Sequence, residues 1–265
     1  MRRVLLLALL LLAVVGPARA GFAPGTPAVP PPAQPRVGLP GYTAELPSGL
    51  DGRRFVLHVP DGLLAPAPLL LVLHAYAKDA AAVRSDSRLE DVADRDGFLV
   101  AFPEGVHRSW DAGGCCGRSR DDAVDDVAYL DAVVATVRAR ALVDPSRIAV
   151  SGFSNGAMMA LRYACERADV VSAVAVVAGT VVAPCRPSRP VAVLDLHGAA
   201  DRTVPVLGGT NAQLHADFPP VSASLQPFRD AGGEVRVVVV PREGHHWLTG
   251  ASGAVWDWVR DHPRT

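Results

Sequence analysis

The sequence predicts an α/β fold, a three-layer sandwich with a mostly parallel central sheet. Two observations carry this. Short runs of Val, Leu, Ile and Ala lack polar alternation, as expected of strands covered on both faces. Between them lie longer stretches whose apolar residues recur at three- and four-residue steps, the pattern of amphipathic helices.

In chain order the elements begin with a hairpin, Tyr42–Leu46 and Arg53–Val59, turned at Ser48-Gly49-Leu50-Asp51-Gly52. Apolar strands follow at Leu69–His74, Phe98–Phe102, Arg147–Ser151, Val171–Val177, Val191–Leu196 and Glu234–Val240. Helices are expected at Leu89–Ala93, Asp126–Ala141, Ala157–Ala164, Ser222–Ala231 and Ala254–Val259. The clearest is Asp126–Ala141, where Val127, Leu130, Val133, Val134 and Val137 form one stripe and Asp125 or Asp126 is placed to cap the N-terminus.

The chain has 265 residues, 49% of them hydrophobic, enough for a large core and incompatible with disorder throughout. Met1–Ala20 reads as an export signal: Arg2 and Arg3, the apolar run Val4–Val15, then Ala18-Arg19-Ala20 as a small-residue cleavage site. That run is too short to span a bilayer, so the expectation is a secreted protein without stable membrane association. Cleavage removes three arginines and no acid, which lowers the net charge from −1 to −4. A negative chain argues against nucleic acid as a partner. Residues 21–41 hold seven prolines and few large apolar side chains, and read as an extended linker before a domain at 42–265.

The strongest chemical signal is Gly152-Phe153-Ser154-Asn155-Gly156, which follows a predicted strand and precedes a predicted helix. A G-x-S-x-G motif in that setting forms a sharp turn that presents the serine hydroxyl at the carboxyl edge of the sheet. The serine needs a base, and the base needs a carboxylate to fix its tautomer. Asp201 follows the strand Val191–Leu196 and His245 follows Glu234–Val240, which brings both to that same edge in the chain order Ser, Asp, His. His246 is the alternative base and Asp195 the rival acid, although Asp195 falls inside a strand. His58, His74 and His197 lie in or at strands and read as structural. The oxyanion donors are expected to be the amide of Asn155 and that of Ala75 or Tyr76.

The loop 103–122 is long and is expected to wall the site. Its Trp110 either stacks on an aromatic or sugar part of a substrate or packs the loop down. Trp247 and His246, beside the base, are further candidate substrate contacts. In an oxidising compartment the four cysteines are candidates for disulfides. Cys165 lies about 15 Å along its helix from the elbow, within reach of the return path that carries Cys185, so these two are expected to pair. Cys115 and Cys116 are then free or joined as a vicinal pair.

Leu73-His74, Phe102-Pro103-Glu104-Gly105, Ser109-Trp110, Gly114-Cys115-Cys116-Gly117, Val124-Asp125-Asp126-Val127, the elbow, His197-Gly198 with Asp201 and Val204-Pro205, and Gly244-His245-His246-Trp247 occur in one order. Together they resemble the secreted polyhydroxybutyrate depolymerase/feruloyl esterase family of α/β-hydrolases, from about Arg53 to Trp258. The resemblance implies a carboxylic-ester hydrolase with Ser154, Asp201 and His245 as its triad, no metal or other cofactor, and as partner an ester substrate such as a hydroxyalkanoate oligomer or an acylated polysaccharide. An acyltransferase or serine peptidase on the same fold, or a catalytically silent binding homologue, is the other reading. The family's His-Gly is here His74-Ala75, a costly change if the backbone there must adopt positive φ. Glu243 also departs from the family's Gly-Gly-His.

Overall fold

A computed structural model describes residues 38–264, so the predicted export signal and residues 21–37 of the linker lie outside the described residues. Within the stretch predicted as a linker, Gly38–Leu39 pairs antiparallel with Leu63–Leu64.

The main sheet has eight strands. In chain order these are β1 (Tyr42–Pro47), β2 (Arg54–Val59), β3 (Ala67–Leu73), β4 (Leu99–Pro103), β5 (Val143–Phe153), β6 (Ala173–Val177), β7 (Ala192–Gly198) and β8 (Val235–Val240). Their spatial order is β8-β7-β6-β5-β3-β4-β2-β1. The hairpin β1–β2 and the β2–β4 pair are antiparallel, and every pairing from β4 through β3 to β8 is parallel. The carboxyl ends of β3, β5, β6, β7 and β8 therefore share one edge.

Alternate residues of the central strands enter different cores. Leu69, Leu71 and Leu73 pack with α3 (Asp126–Arg140) and α4 (Asn155–Glu166). Leu70 and Val72 pack on the other face with α1 (Ala80–Ser87), α2 (Leu89–Asp96) and α5 (Ala251–Asp261). With both faces covered, most positions of the central strands are apolar, which is why the runs show no alternation. Asp125 caps α3 by accepting the Ala128 N–H at 2.9 Å. Its neighbour Asp126 is buried and serves a different purpose, binding Arg53 and accepting the Asp111 N–H at 2.7 Å.

Three expectations need correction. β5 begins at Val143 instead of Arg147, because Asp144 accepts from the Ser146 amide and hydroxyl and carries the chain through a bend at the register shift opposite Ala67/Leu69. The predicted helix Ser222–Ala231 is two short helices, Val221–Ser224 and Gln226–Asp230, meeting at Leu225 just before Pro227. The helix α1 has no counterpart in the sequence reading; Asp79 caps it, accepting the Ala82 N–H at 2.9 Å. Cys165 is bonded to Cys185 with a Cα separation of 5.6 Å, and Cys115 to Cys116. Among the described residues no helix is long and apolar enough to cross a membrane.

Candidate active site

Ser154 sits between β5 and α4 with φ 55° and ψ −118°. A non-glycine residue there costs about 1–3 kcal/mol, so the surrounding structure must impose it. Neighbouring backbone does so: the Ser154 N–H donates to the Val177 carbonyl at 3.0 Å and its carbonyl accepts the Met158 N–H at 2.9 Å. The two flanking glycines make the reversal possible. A Cβ on Gly152 would stand 2.6 Å from the Gly156 carbonyl carbon, and one on Gly156 would overlap the carbonyl oxygens of Leu73 and His74.

The loops after β7 and β8 are sewn together by the Ala199 N–H to the Val240 carbonyl (2.9 Å) and the Ala200 N–H to the Glu243 carbonyl (2.8 Å). That stitching delivers Asp201 and His245 to Ser154. His245 Nε2 lies 2.8 Å from Ser154 Oγ, and its Nδ1 lies 2.7 Å from Asp201 Oδ2. The other Asp201 oxygen accepts the Thr203 and Val204 amides at 2.8 and 2.9 Å. Burial alone would raise the Asp201 carboxyl, but the His245 hydrogen bond and charge and those two amides outweigh it and hold it below the ordinary aspartate value. An ionised Asp201 accepts from Nδ1–H, which leaves Nε2 as the lone-pair nitrogen facing the serine hydroxyl. The Phe153 ring packs against the His245 imidazole, with centroids 4.8 Å apart.

The alternatives stand elsewhere. His246 is half exposed and pairs with Glu243 at 3.0 Å. Asp195 is fully buried on β7, bonded to His197 Nδ1 at 2.9 Å and accepting the Gly179 N–H at 3.1 Å.

Opposite the histidine loop, the chain leaving β3 runs through His74, Ala75 and Tyr76. The left-handed residue in this segment is Ala77, with φ 57°, while Ala75 is absent from the positive-φ residues. The cost foreseen at Ala75 therefore does not arise there. His74 clamps the segment: its Nδ1–H donates to the Ala75 carbonyl at 2.9 Å and its Nε2 accepts the Gly105 N–H at 2.9 Å. That pattern requires a neutral ring, and burial lowers the His74 pKa to about 4. Among the described residues, none accepts a backbone hydrogen bond from the amides of Asn155, Ala75 or Tyr76, which leaves donors available on both sides of Ser154.

Trp110 is 0% exposed, so the substrate-stacking role is corrected to a packing one. Its indole N–H donates to the His74 carbonyl at 2.8 Å and its ring lies 4.9 Å from the His74 ring, which ties the loop 103–122 to the segment after β3. The loop buries Ser109, Trp110, Ala112, Cys115, Cys116 and Ser119, while its Gly117 lies against the Tyr76 ring. Trp247 is partly buried, donates its indole N–H to Ser252 Oγ at 3.0 Å, and shares a shallow pocket with Ala75 and Phe153. The sequence reading did not foresee the Asn155 side chain, the clamp by His74 or the contact of Phe153 with His245. Only Phe153 carried a signal, through its place next to Ser154. Among the described residues no group of three or more His, Cys, Asp or Glu is placed to hold a metal ion.

Residues 54–226 match the family described as Esterase PHB depolymerase. Among individual relatives, the protein NocK of Nocardia uniformis subsp. tsuyamanensis is 38% identical over 177 residues, covering 64% of this chain and 50% of its own. Feruloyl esterase B of Piromyces equi is 33% identical over 169 residues, covering 59% and 31%. Feruloyl esterase C of Emericella nidulans is 29% identical over 199 residues, covering 71% and 70%. The chain thus spans half or less of the length of the first two relatives. An acetyl xylan esterase from Aspergillus awamori superposes with a TM-score of 0.63 at 13% identity, covering 83% of this chain and 99% of that one. Esterase PE8 superposes with a TM-score of 0.58 at 20% identity, covering 84% and 100%. These likenesses identify the fold as that of the α/β-hydrolases.

Proposed function

The chain belongs to the esterase PHB depolymerase family, and from that premise we propose that it hydrolyses carboxylic esters through an acyl-enzyme on Ser154. The observation that carries this reading is the unbroken chain from Ser154 Oγ through both His245 nitrogens to Asp201, at 2.8 and 2.7 Å, mounted on a strained turn. Ser154 Oγ attacks the ester carbonyl and its proton passes to His245 Nε2. Asp201 stabilises the resulting imidazolium. The amides of Asn155 and of Ala75 or Tyr76 receive the oxyanion. His245 then protonates the departing alcohol, and a water deprotonated by the same nitrogen releases the acid and restores Ser154. Every step runs on side chains, amides and water.

Hydroxycinnamoyl or acetyl esters of polysaccharide and hydroxyalkanoate oligomers are the substrate classes that the relatives' names support. The export signal read at 1–20 supports secretion, with a mature chain beginning at Gly21. The deciding experiment pairs fluorophosphonate labelling with turnover of p-nitrophenyl acetate, methyl ferulate, acetylated xylan and hydroxybutyrate oligomers. Wild type should be labelled on Ser154 and cleave at least one ester, and Ser154→Ala should do neither. Full turnover by Ser154→Ala would refute the assignment.

A further inference from the structure

A second imidazole–carboxylate pair stands directly behind Asp201, and the reaction above makes no use of it. Asp195 and His197 lie two residues apart on β7, so their side chains leave the same face of the strand. Both are 0% exposed. His197 Nε2 is 2.8 Å from the Val204 carbonyl, and a carbonyl only accepts, so Nε2 carries a hydrogen. His197 Nδ1 is 2.9 Å from Asp195 Oδ1, while Asp195 Oδ2 accepts the Gly179 N–H at 3.1 Å. Burial raises the Asp195 carboxyl above the ordinary aspartate value, opposed by the His197 hydrogen bond and charge and by the Gly179 amide. When Asp195 is ionised, Nδ1 carries a hydrogen as well and the ring is a cation. The same Nε2 faces Asp201 Oδ2 at 3.6 Å, and that oxygen is the one hydrogen-bonded to His245.

We propose that His197, held as an imidazolium by Asp195, is a positioning residue for Asp201, so that the relay runs Ser154–His245–Asp201–His197–Asp195. This rests on the triad reading above. Two carboxylates converging on one buried ring need a positive charge between them if both are to stay ionised. Burial opposes a charge on His197, but the Asp195 hydrogen bond and charge, the Val204 carbonyl and Asp201 outweigh it and raise its pKa. Among the described residues, the charged groups facing His197 are Asp195 from its own strand and Asp201 from the loop that follows, with His245 beyond Asp201.

A cation behind Asp201 does two things. It holds the carboxylate in the rotamer that meets His245, and it tempers the carboxylate's pull on the catalytic proton. Neutralising His197 should therefore shift the acidic limb of the kcat/KM profile to higher pH.

Two variants remove the charge by different routes. His197→Gln deletes the ring, whereas Asp195→Asn keeps the ring and the shape but removes the anion that holds its proton. Each should move the acidic limb up by about 0.5 to 1 pH unit, with kcat falling about tenfold and KM for p-nitrophenyl acetate changing less than about twofold. The double variant should lose little more than either single one, since both act on one charge. Folded variants that keep the wild-type acidic limb would overturn the proposal.

Nitrogen-15 NMR of histidine-labelled wild type at pH 8 needs no variant and no activity. One ring with hydrogens on both nitrogens is expected, and an unprotonated nitrogen on every ring would equally overturn it. Fluorophosphonate labelling of the same wild-type sample reports on the triad alone, so failure of one reading is distinguishable from failure of the other.

Discussion

Trp110 and the side chain of Asn155 are joined by two reciprocal hydrogen bonds: the Trp110 N–H donates to Asn155 Oδ1 at 2.8 Å, and Asn155 Nδ2 donates to the Trp110 carbonyl at 3.1 Å. The residue after Ser154 thus imitates a strand neighbour and fastens the loop 103–122 to the start of α4. Asn155→Ala leaves the buried Trp110 N–H without a partner, while the Trp110 carbonyl keeps the Ala112 N–H at 3.1 Å. The expected loss is about 1–3 kcal/mol of stability, read from urea unfolding, with a lower kcat because the elbow loosens. An unchanged urea midpoint would show that the pair is incidental.

Trp110→Phe tests the packing role of that residue. Phenylalanine keeps most of the ring contact but leaves the His74 carbonyl without the indole donor it has at 2.8 Å. Stability should fall by about 1–2 kcal/mol, and kcat should fall through slackening of the segment that carries Ala75 and Tyr76. KM should stay within about twofold for aliphatic and aromatic esters alike. A rise in KM confined to methyl ferulate would restore the substrate-stacking role.

The central sheet is legible in the sequence because strands buried on both faces read as unbroken apolar runs, and Val174 and Val176 enter one core while Ala173, Ala175 and Val177 enter the other. The elbow is legible because Gly152 and Gly156 are needed wherever a strand reverses into a helix. Choosing His245 over His246 rested only on its following Gly244, and the structure separates the two by giving His246 the partner Glu243. The contacts among Trp110, Asn155 and His74 were not legible. These residues are far apart in sequence and meet through hydrogen bonds from one side chain to another residue's backbone, and a backbone partner leaves no mark in the sequence. α1 was missed because its apolar residues are mostly alanines, and only Ala80 and Val83 among them are buried.

The clamp at His74 makes stability depend on pH. Burial lowers its folded pKa to about 4 from an ordinary 6.5, so between those values the unfolded chain holds the proton that the folded one excludes. Stability is then unaffected above pH 6.5, falls as pH drops from 6.5 to 4, and loses nothing further from this group below 4. The full loss is on the order of 3 kcal/mol. His74→Gln should retain an acceptor for the Gly105 N–H yet carry no such proton. Urea midpoints measured from pH 7 to pH 4 should fall less steeply for the variant, and parallel slopes would mean that the His74 ring titrates normally.

Gly156 lies two residues from Ser154 and Gly244 next to His245, yet their surroundings are opposite. A Cβ on Gly156 would meet the carbonyl oxygens of Leu73 and His74, which are backbone atoms that no side-chain rotation can move aside. Gly156→Ala must therefore push α4 away from the end of β3, separating Ser154 from the Ala75 and Tyr76 amides. On the proposed mechanism, a displacement approaching 1 Å between Ser154 and those amides is expected to lower the acylation rate about 100-fold. A Cβ on Gly244 would find no atom within 4 Å, and the residue is not among the positive-φ glycines. Gly244→Ala should keep its acylation rate within about twofold of wild type and melt at the same temperature. Single-turnover acylation by p-nitrophenyl acetate, read beside a thermal melt, separates the two cases. Equal damage from both substitutions would mean that the His245 loop depends on glycine for freedom of movement, and that close backbone approach at the elbow is not what distinguishes the two positions.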